Sequence, residues 1–161
     1  LRRLVGSEMC IRDRNWCFDS EPEVNADGKL DYLARGKVLG GSSSINGMVY
    51  MRGQRQDYDL WAQMGCRGWS YEEVLPYFRK AEKNQRGANE FHGADGPLEV
   101  SDLRDVPPLY NAFLAAGQEM GMPLNPDFNG AEQEGIGLTQ TTTGGGRRKS
   151  TGQVYLSLIH I

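Results

Sequence analysis

The residues best suited to chemistry lie in Arg35–Gly53, RGKVLGGSSSINGMVYMRG, where Gly40-Gly41-Ser42-Ser43-Ser44 runs into an amphipathic apolar stretch. A turn of this kind presents successive backbone N–H groups at the start of a helix, where aligned peptide dipoles and unpaired donors favour an anion. Glycine lets the backbone approach a ligand closely, and the serine hydroxyls either cap the helix or donate to phosphate oxygens. The run therefore reads as a phosphate cradle or, more plainly, as a helix N-cap with no ligand. A phosphate loop of the nucleotide-hydrolase type is excluded, because no Gly-Lys-Ser/Thr follows the glycines.

Other reactive side chains are sparse. His92, in Phe91-His92-Gly93, stands apart from the only other histidine, His160, near the C terminus. A lone loop histidine is read as a hydrogen-bonded structural residue rather than as an acid or base. Asp57, Asp59, Glu72 and Glu73 form no carboxylate pair, and no His/Cys cluster has metal-ligand spacing. Arg147-Arg148-Lys149 reads as a solvated basic loop. Cys10, Cys17 and Cys66 lack CxxC spacing and read as free thiols.

Periodicity supplies the elements that must position these groups. Asn15–Tyr32 predicts two short extended segments around the Asn25-Ala26-Asp27-Gly28 turn. Ser43–Met51 predicts a helix with Ile45, Met48 and Val49 at helical spacing, and Asp57–Met64 a second with Leu60, Trp61 and Met64 on one side. Ser70 and Glu73 have capping-box spacing ahead of a stripe of Val74, Leu75, Tyr77, Phe78 and Ala81; Pro76 is tolerable there only if it falls in the first turns. Residues 84–95 read as loop, Pro97–Val100 as extended, and Pro107–Met120 as a helix stopped by Gly121. Asn125–Gly135 reads as loop and Gly137–Thr143 as a strand ended by Gly144–Arg148. These elements amount to an α+β fold with more helix than strand.

The longer pattern around the glycine turn resembles the first signature of the glucose-methanol-choline oxidoreductases, in their choline-dehydrogenase-like branch. The resemblance continues through Asp57-Tyr58-Asp59-Leu60-Trp61, Gly68–Phe78, Phe91-His92-Gly93, Gly96-Pro97-Leu98, Asp127–Gly130, Gln133-Glu134-Gly135 and Gly146–Ser150. It implies an FAD-dependent enzyme that oxidises a primary alcohol, choline-like or other, by hydride transfer to flavin, with oxygen or a quinone as acceptor. It also implies that Gly40, Gly41, Ser42, Asn46, Gly47, Met48 and Val49 contact the cofactor. Some relatives carry a flavin-linking histidine one position before the Asn; here it is Ile45, so FAD is expected to be noncovalent. Residues 15–70 would be part of an FAD-binding domain that is Rossmann-like in the intact protein, and residues 71–155 would lead into the substrate domain. The GxGxxG unit is expected before Asn15 and the catalytic histidine pair after Tyr155, so no catalytic residue is assigned and the piece alone is expected to be inactive. A noncatalytic binding module with a capped Gly/Ser turn is the rival reading.

Composition is compatible with both. A chain of 161 residues with net charge −3 shows no basic excess for nucleic acid, and no apolar run is long enough to span a bilayer. Location stays open between the cytoplasm and a membrane surface. The ends read differently: Leu156–Ile161 back-translates to CTG TCT CTT ATA CAC ATC, whose reverse complement encodes Glu8–Asp13 in another frame. Residues 1–14 and 156–161 are therefore expected to be translated sequencing adapter.

Overall fold

A computed structural model describes residues 13–156, so most of both suspected adapter segments lies outside the described residues. The fold is mixed α/β with more helix than strand. The chain divides into two compact units, residues 48–148 forming one and the flanking residues up to 47 and from 149 the other.

In the flanking unit, β1 (Phe18–Asp19) pairs antiparallel with β2 (Tyr32–Leu33), with Phe18 opposite Leu33 and Asp19 opposite Tyr32. The expected turn joins them: a 3₁₀ turn, Val24–Ala26, ends at Asp27 and Gly28, both left-handed at φ 54° and 70°. Asp and Gly tolerate that region better than other residues do. The Asn15 side chain accepts the Arg35 N–H at 2.8 Å and holds the chain beyond β2 against the start of the hairpin. A 3₁₀ turn, Gly41–Ser44, follows, and a π-helical turn covers Gly152–Leu156.

The helix expected over Ser43–Met51 does not form. The N–H groups of Ile45 and Asn46 both return to the Ser42 carbonyl, which ends the turn. Beyond it, the backbone of Met48 and Tyr50 is taken up by residues 140–142: Thr142 N–H donates to Met48 C=O at 2.8 Å and Tyr50 N–H to Gln140 C=O at 2.9 Å. Serine hydroxyls competing for local carbonyls, together with this tertiary pairing, override the helical period.

In the central unit, α1 (Arg55–Gln63) starts two residues earlier than expected, because the Asp57 carboxylate accepts the Gln54 N–H at 2.8 Å. Its buried residue is Tyr58, against whose ring Trp61 packs edge-on; Leu60 and Met64, expected on the same side as Trp61, are exposed. The start of α2 (Tyr71–Ala81) is the predicted one: Glu73 accepts from Ser70 N–H at 3.1 Å and Ser70 Oγ at 2.6 Å. These bonds hold the Glu73 carboxyl below its ordinary range. Pro76 lies deeper than the first turn and α2 continues through it. The carbonyl that loses its donor belongs to Glu72, an exposed residue. Tyr58, Tyr71 and Val74 form the core with Leu75 and Phe78, whereas Tyr77 points outward.

The remaining pairings differ in part from expectation. β3 (Glu82–Asn84), which has no apolar period, pairs parallel with β4 (Leu98–Val100). The helix α3 (Pro108–Glu119) stops where predicted, with Gly121 at φ +87°. The strand expected over 137–143 shrinks to bridges at Thr141 and a hairpin of β5 (Thr143–Gly144) and β6 (Arg147–Arg148), turned by Gly145 and Gly146 at φ 59° and 75°. Two left-handed residues are what a tight hairpin turn requires, so the basic run becomes strand rather than loop.

Candidate functional site

The glycine turn is closed from both sides by side chains and backbone of its own unit. Gly40 and Gly41 are left-handed, at φ +88° and +55°. A Cβ on Gly40 would lie 2.7 Å from Gly152 N, so the backbones of these two glycines pack directly on each other. A Cβ on Gly41 or on Gly47 would meet no atom within 4 Å, leaving that backbone open.

All three serine hydroxyls are engaged with the protein. Ser42 Oγ accepts the Gly36 N–H at 3.1 Å, Ser43 Oγ donates to Gly40 C=O at 2.5 Å, and Ser44 Oγ donates to Leu39 C=O at 3.0 Å. Ser43 and Ser44 thus spend their protons on carbonyls, whereas Ser42 Oγ, an acceptor in its bond to Gly36, keeps its O–H as a donor. Asn46 and Gly47 are exposed, and the Asn46 N–H donates to Ser42 C=O. Alongside the turn runs an open cleft of about 810 Å³, lined by Asn15, Tyr32, Val38, Leu39, Ser44 and Ile45 among others. It combines apolar walls with a few polar atoms, the usual make-up of a cofactor cleft.

Met48 and Val49 belong to the central unit. Met48 is a non-glycine residue at φ +63°, and its carbonyl accepts both the N–H and the hydroxyl of Thr142, at 2.8 and 3.3 Å. Val49 bridges Thr141 and is exposed. Backbone held in a sparsely populated region by surrounding bonds is common at ligand sites.

His92 sits in a buried polar cluster within the same unit. Its Nδ1 lies 2.9 Å from Glu82 Oε1 and its Nε2 2.8 Å from Asp127 Oδ2, with the residue 3% exposed. Arg52 Nη2 donates to Glu82 Oε2 at 2.6 Å, and Asn84 Nδ2 to Glu82 Oε1 at 2.8 Å. Burial opposes charge on the imidazole, but the bonds to Glu82 and Asp127 prevail and raise its pKa. Burial likewise opposes the Glu82 carboxylate, and His92, Asn84 and Arg52 together pull its pKa below the ordinary value. With both ring nitrogens on carboxylates, His92 has none left for a substrate. Nothing in the sequence marked Glu82 or Arg52 as members of such a cluster.

A second cavity, of about 360 Å³, opens beside Tyr71, Phe91 and Phe128. Two polar side chains on its wall are used internally: Asn129 bonds the Arg52 N–H and the Tyr50 C=O, and Gln133 donates to the Arg52 and Phe128 carbonyls. Among the described residues, Cys17 and Cys66 are free, no cluster of His, Cys, Asp and Glu could hold a metal, and no helix is long and apolar enough to cross a membrane. Cys10 lies outside the described residues.

The sequence pattern of the GMC oxidoreductases matches residues 6–158. Human mitochondrial choline dehydrogenase is 47% identical over 150 residues, covering 93% of this chain and 25% of the relative. The oxygen-dependent choline dehydrogenase of Photobacterium profundum is 48% identical over 143 residues, covering 88% of this chain and 25% of the relative. Among solved structures, pyridoxine 4-oxidase from Mesorbium loti superposes with a TM-score of 0.84 at 33% identity, over 89% of this chain and 28% of that one. An FAD-dependent oxidoreductase from Chaetomium thermophilum gives 0.81 at 25% identity, over 91% and 28%. The chain thus spans about a quarter of the length of the relatives it matches.

Proposed function

The chain belongs to the GMC oxidoreductase family, and we propose that the protein carrying it is an FAD-dependent enzyme that oxidises a primary alcohol of the choline class. The observation that carries this reading is the left-handed Gly40-Gly41 turn, with open space beside Gly41 and Gly47, bordering a cleft of about 810 Å³. Side-chain-free backbone next to a partly apolar cleft fits a dinucleotide, whose phosphates need close backbone approach and whose rings need apolar walls.

Bound FAD would supply the two-electron acceptor for the alcohol's hydride. The chain's own part is to hold it. Gly40, Gly41 and Ser42 would present backbone beside the pyrophosphate, while Asn46, Gly47, Met48 and Val49 would line the isoalloxazine. Asn46 carries both a donor and an acceptor, which suits a flavin edge of imide and ring nitrogens. Ile45 has no nucleophile with which to form a bond to flavin, which supports noncovalent attachment. His92 is spent on Glu82 and Asp127 and is not the base that takes the proton of the alcohol. Residues 15–70 would serve the cofactor domain and 71–155 the approach to the substrate domain. Oxygen or a quinone would take the electrons.

The test is to express the complete reading frame, record its visible spectrum and add choline without oxygen. A flavin spectrum that bleaches with choline and is lost with acid-released FAD supports noncovalent FAD and alcohol oxidation. Colourless protein that gains no flavin spectrum from added FAD overturns it.

A further inference from the structure

We propose that Thr151 is a positioning residue for the cofactor turn, acting through the carbonyl of Gly40. This rests on the assignment of Gly40–Val49 to FAD. The Gly40 carbonyl accepts two hydroxyls, Ser43 Oγ at 2.5 Å and Thr151 Oγ1 at 3.1 Å. Thr151 also donates its backbone N–H to Ser43 Oγ at 3.0 Å, and the two hydroxyl oxygens lie 3.0 Å apart. Ser43 and Thr151 are 108 positions apart in sequence, so this contact is tertiary and not part of the turn's own hydrogen bonding.

The neighbouring backbone enforces the same geometry. Gly152 approaches so closely that a Cβ on it would lie 2.9 Å from Leu39 O, while a Cβ on Gly40 would lie 2.7 Å from Gly152 N. Behind it, Gly152 and Val154 are buried, and the N–H groups of Gln153 and Val154 both return to Ser150 C=O. The segment from Ser150 is thus a firm support on which Thr151 presents one hydroxyl and one N–H to the turn.

Left-handed glycines are conformationally permissive, so a turn built on Gly40 and Gly41 does not fix itself. Two donors on one carbonyl fix the plane of the Gly40–Gly41 peptide, and with it the direction of the backbone groups that follow. Such preorganisation is paid before the ligand arrives and appears as affinity. Thr151 itself is exposed, so exchanging its hydroxyl for a methyl buries no new polar group and leaves no cavity.

The experiment compares wild-type protein from the complete reading frame with Thr151→Val, Thr151→Ser, Ser43→Ala and the Ser43→Ala/Thr151→Val double variant, each stripped of flavin and titrated with FAD by fluorescence. Loss of one net hydrogen bond predicts an FAD dissociation constant raised about fivefold in Thr151→Val. Thr151→Ser restores it to within about twofold, and the double variant is weakened by more than the product of the single effects, because either hydroxyl alone still bonds the shared carbonyl and only the double variant leaves it without a donor. The thermal midpoint of the FAD-free protein falls only slightly in Thr151→Val, as expected for one bond at an exposed residue, and the affinity difference persists where both FAD-free proteins are fully folded. Equal FAD affinity in Thr151→Val and wild type, failure of Ser to rescue, or a fall in the FAD-free midpoint that accounts for the weakened binding each overturns the positioning role while leaving the flavin assignment standing. A wild type that binds no FAD overturns both.

Discussion

Glu82→Gln removes a single charge from the middle of the central unit at nearly constant volume. The Glu82 carboxylate receives Arg52 at 2.6 Å, His92 at 2.9 Å, Asn84 at 2.8 Å and the Gly93 N–H at 3.3 Å. In the variant the Arg52 guanidinium, on a side chain 3% exposed, faces a neutral amide. Removing one partner of a buried ion pair costs about 3–5 kcal/mol. His92 keeps Asp127 and the new amide still accepts one bond, so the expected loss is at the low end, about 3 kcal/mol. The pH dependence has a definite sign. The pKa of Glu82 is lowered on folding, so its contribution is present above the ordinary value of 4.5 and lost as pH falls through the folded one. That of His92 is raised, so its contribution is complete below the ordinary value of 6.5 and lost as pH rises through the folded one. The gap between wild type and variant should therefore be widest between pH 4.5 and 6.5 and narrow outside that window. Urea denaturation of the protein from the complete reading frame, followed by far-ultraviolet circular dichroism, measures it. A loss below about 1 kcal/mol, or a gap that does not close in acid, would refute the view that this charge organises the cluster.

Further expectations follow from single contacts. Gly93→Ala places a Cβ 1.8 Å from the Arg79 carbonyl oxygen, a backbone atom, so a urea-midpoint loss of about 3 kcal/mol or failure to accumulate folded protein is expected. Val100→Ala empties a site that is 1% exposed and should cost about 2 kcal/mol in the same assay. Gly40→Ala forces a side chain to φ +88° and against Gly152; flavin recovered with the purified protein should fall at least tenfold, and retention at wild-type stoichiometry would contradict the close-packed turn.

Local signals carried well where the chain decides locally. Ser70 and Glu73 mark the start of α2 because the cap uses only neighbours in sequence, and Gly121 marks the end of α3 for the same reason. The glycine turn was legible too, since its residue types match its left-handed backbone. Features set by distant partners were not. The helical spacing of Ile45, Met48 and Val49 gave way to bonds from Gln140 and Thr142. β3 carries Glu82, Lys83 and Asn84, a sequence with no strand pattern, and is held by pairing with Leu98–Val100 and by polar partners from elsewhere in the chain. Leu60, Met64 and Tyr77 are exposed although their spacing is that of a core face. Thr151 had no signal, because its role comes from a contact 108 positions away.

The central claim is that Gly40–Val49 holds FAD, and hydrogen exchange tests it most directly. FAD added to the protein from the complete reading frame should slow exchange across residues 40–49 at least about tenfold and leave α3 unchanged. Flavin bound with a normal spectrum but no protection at 40–49 would contradict it.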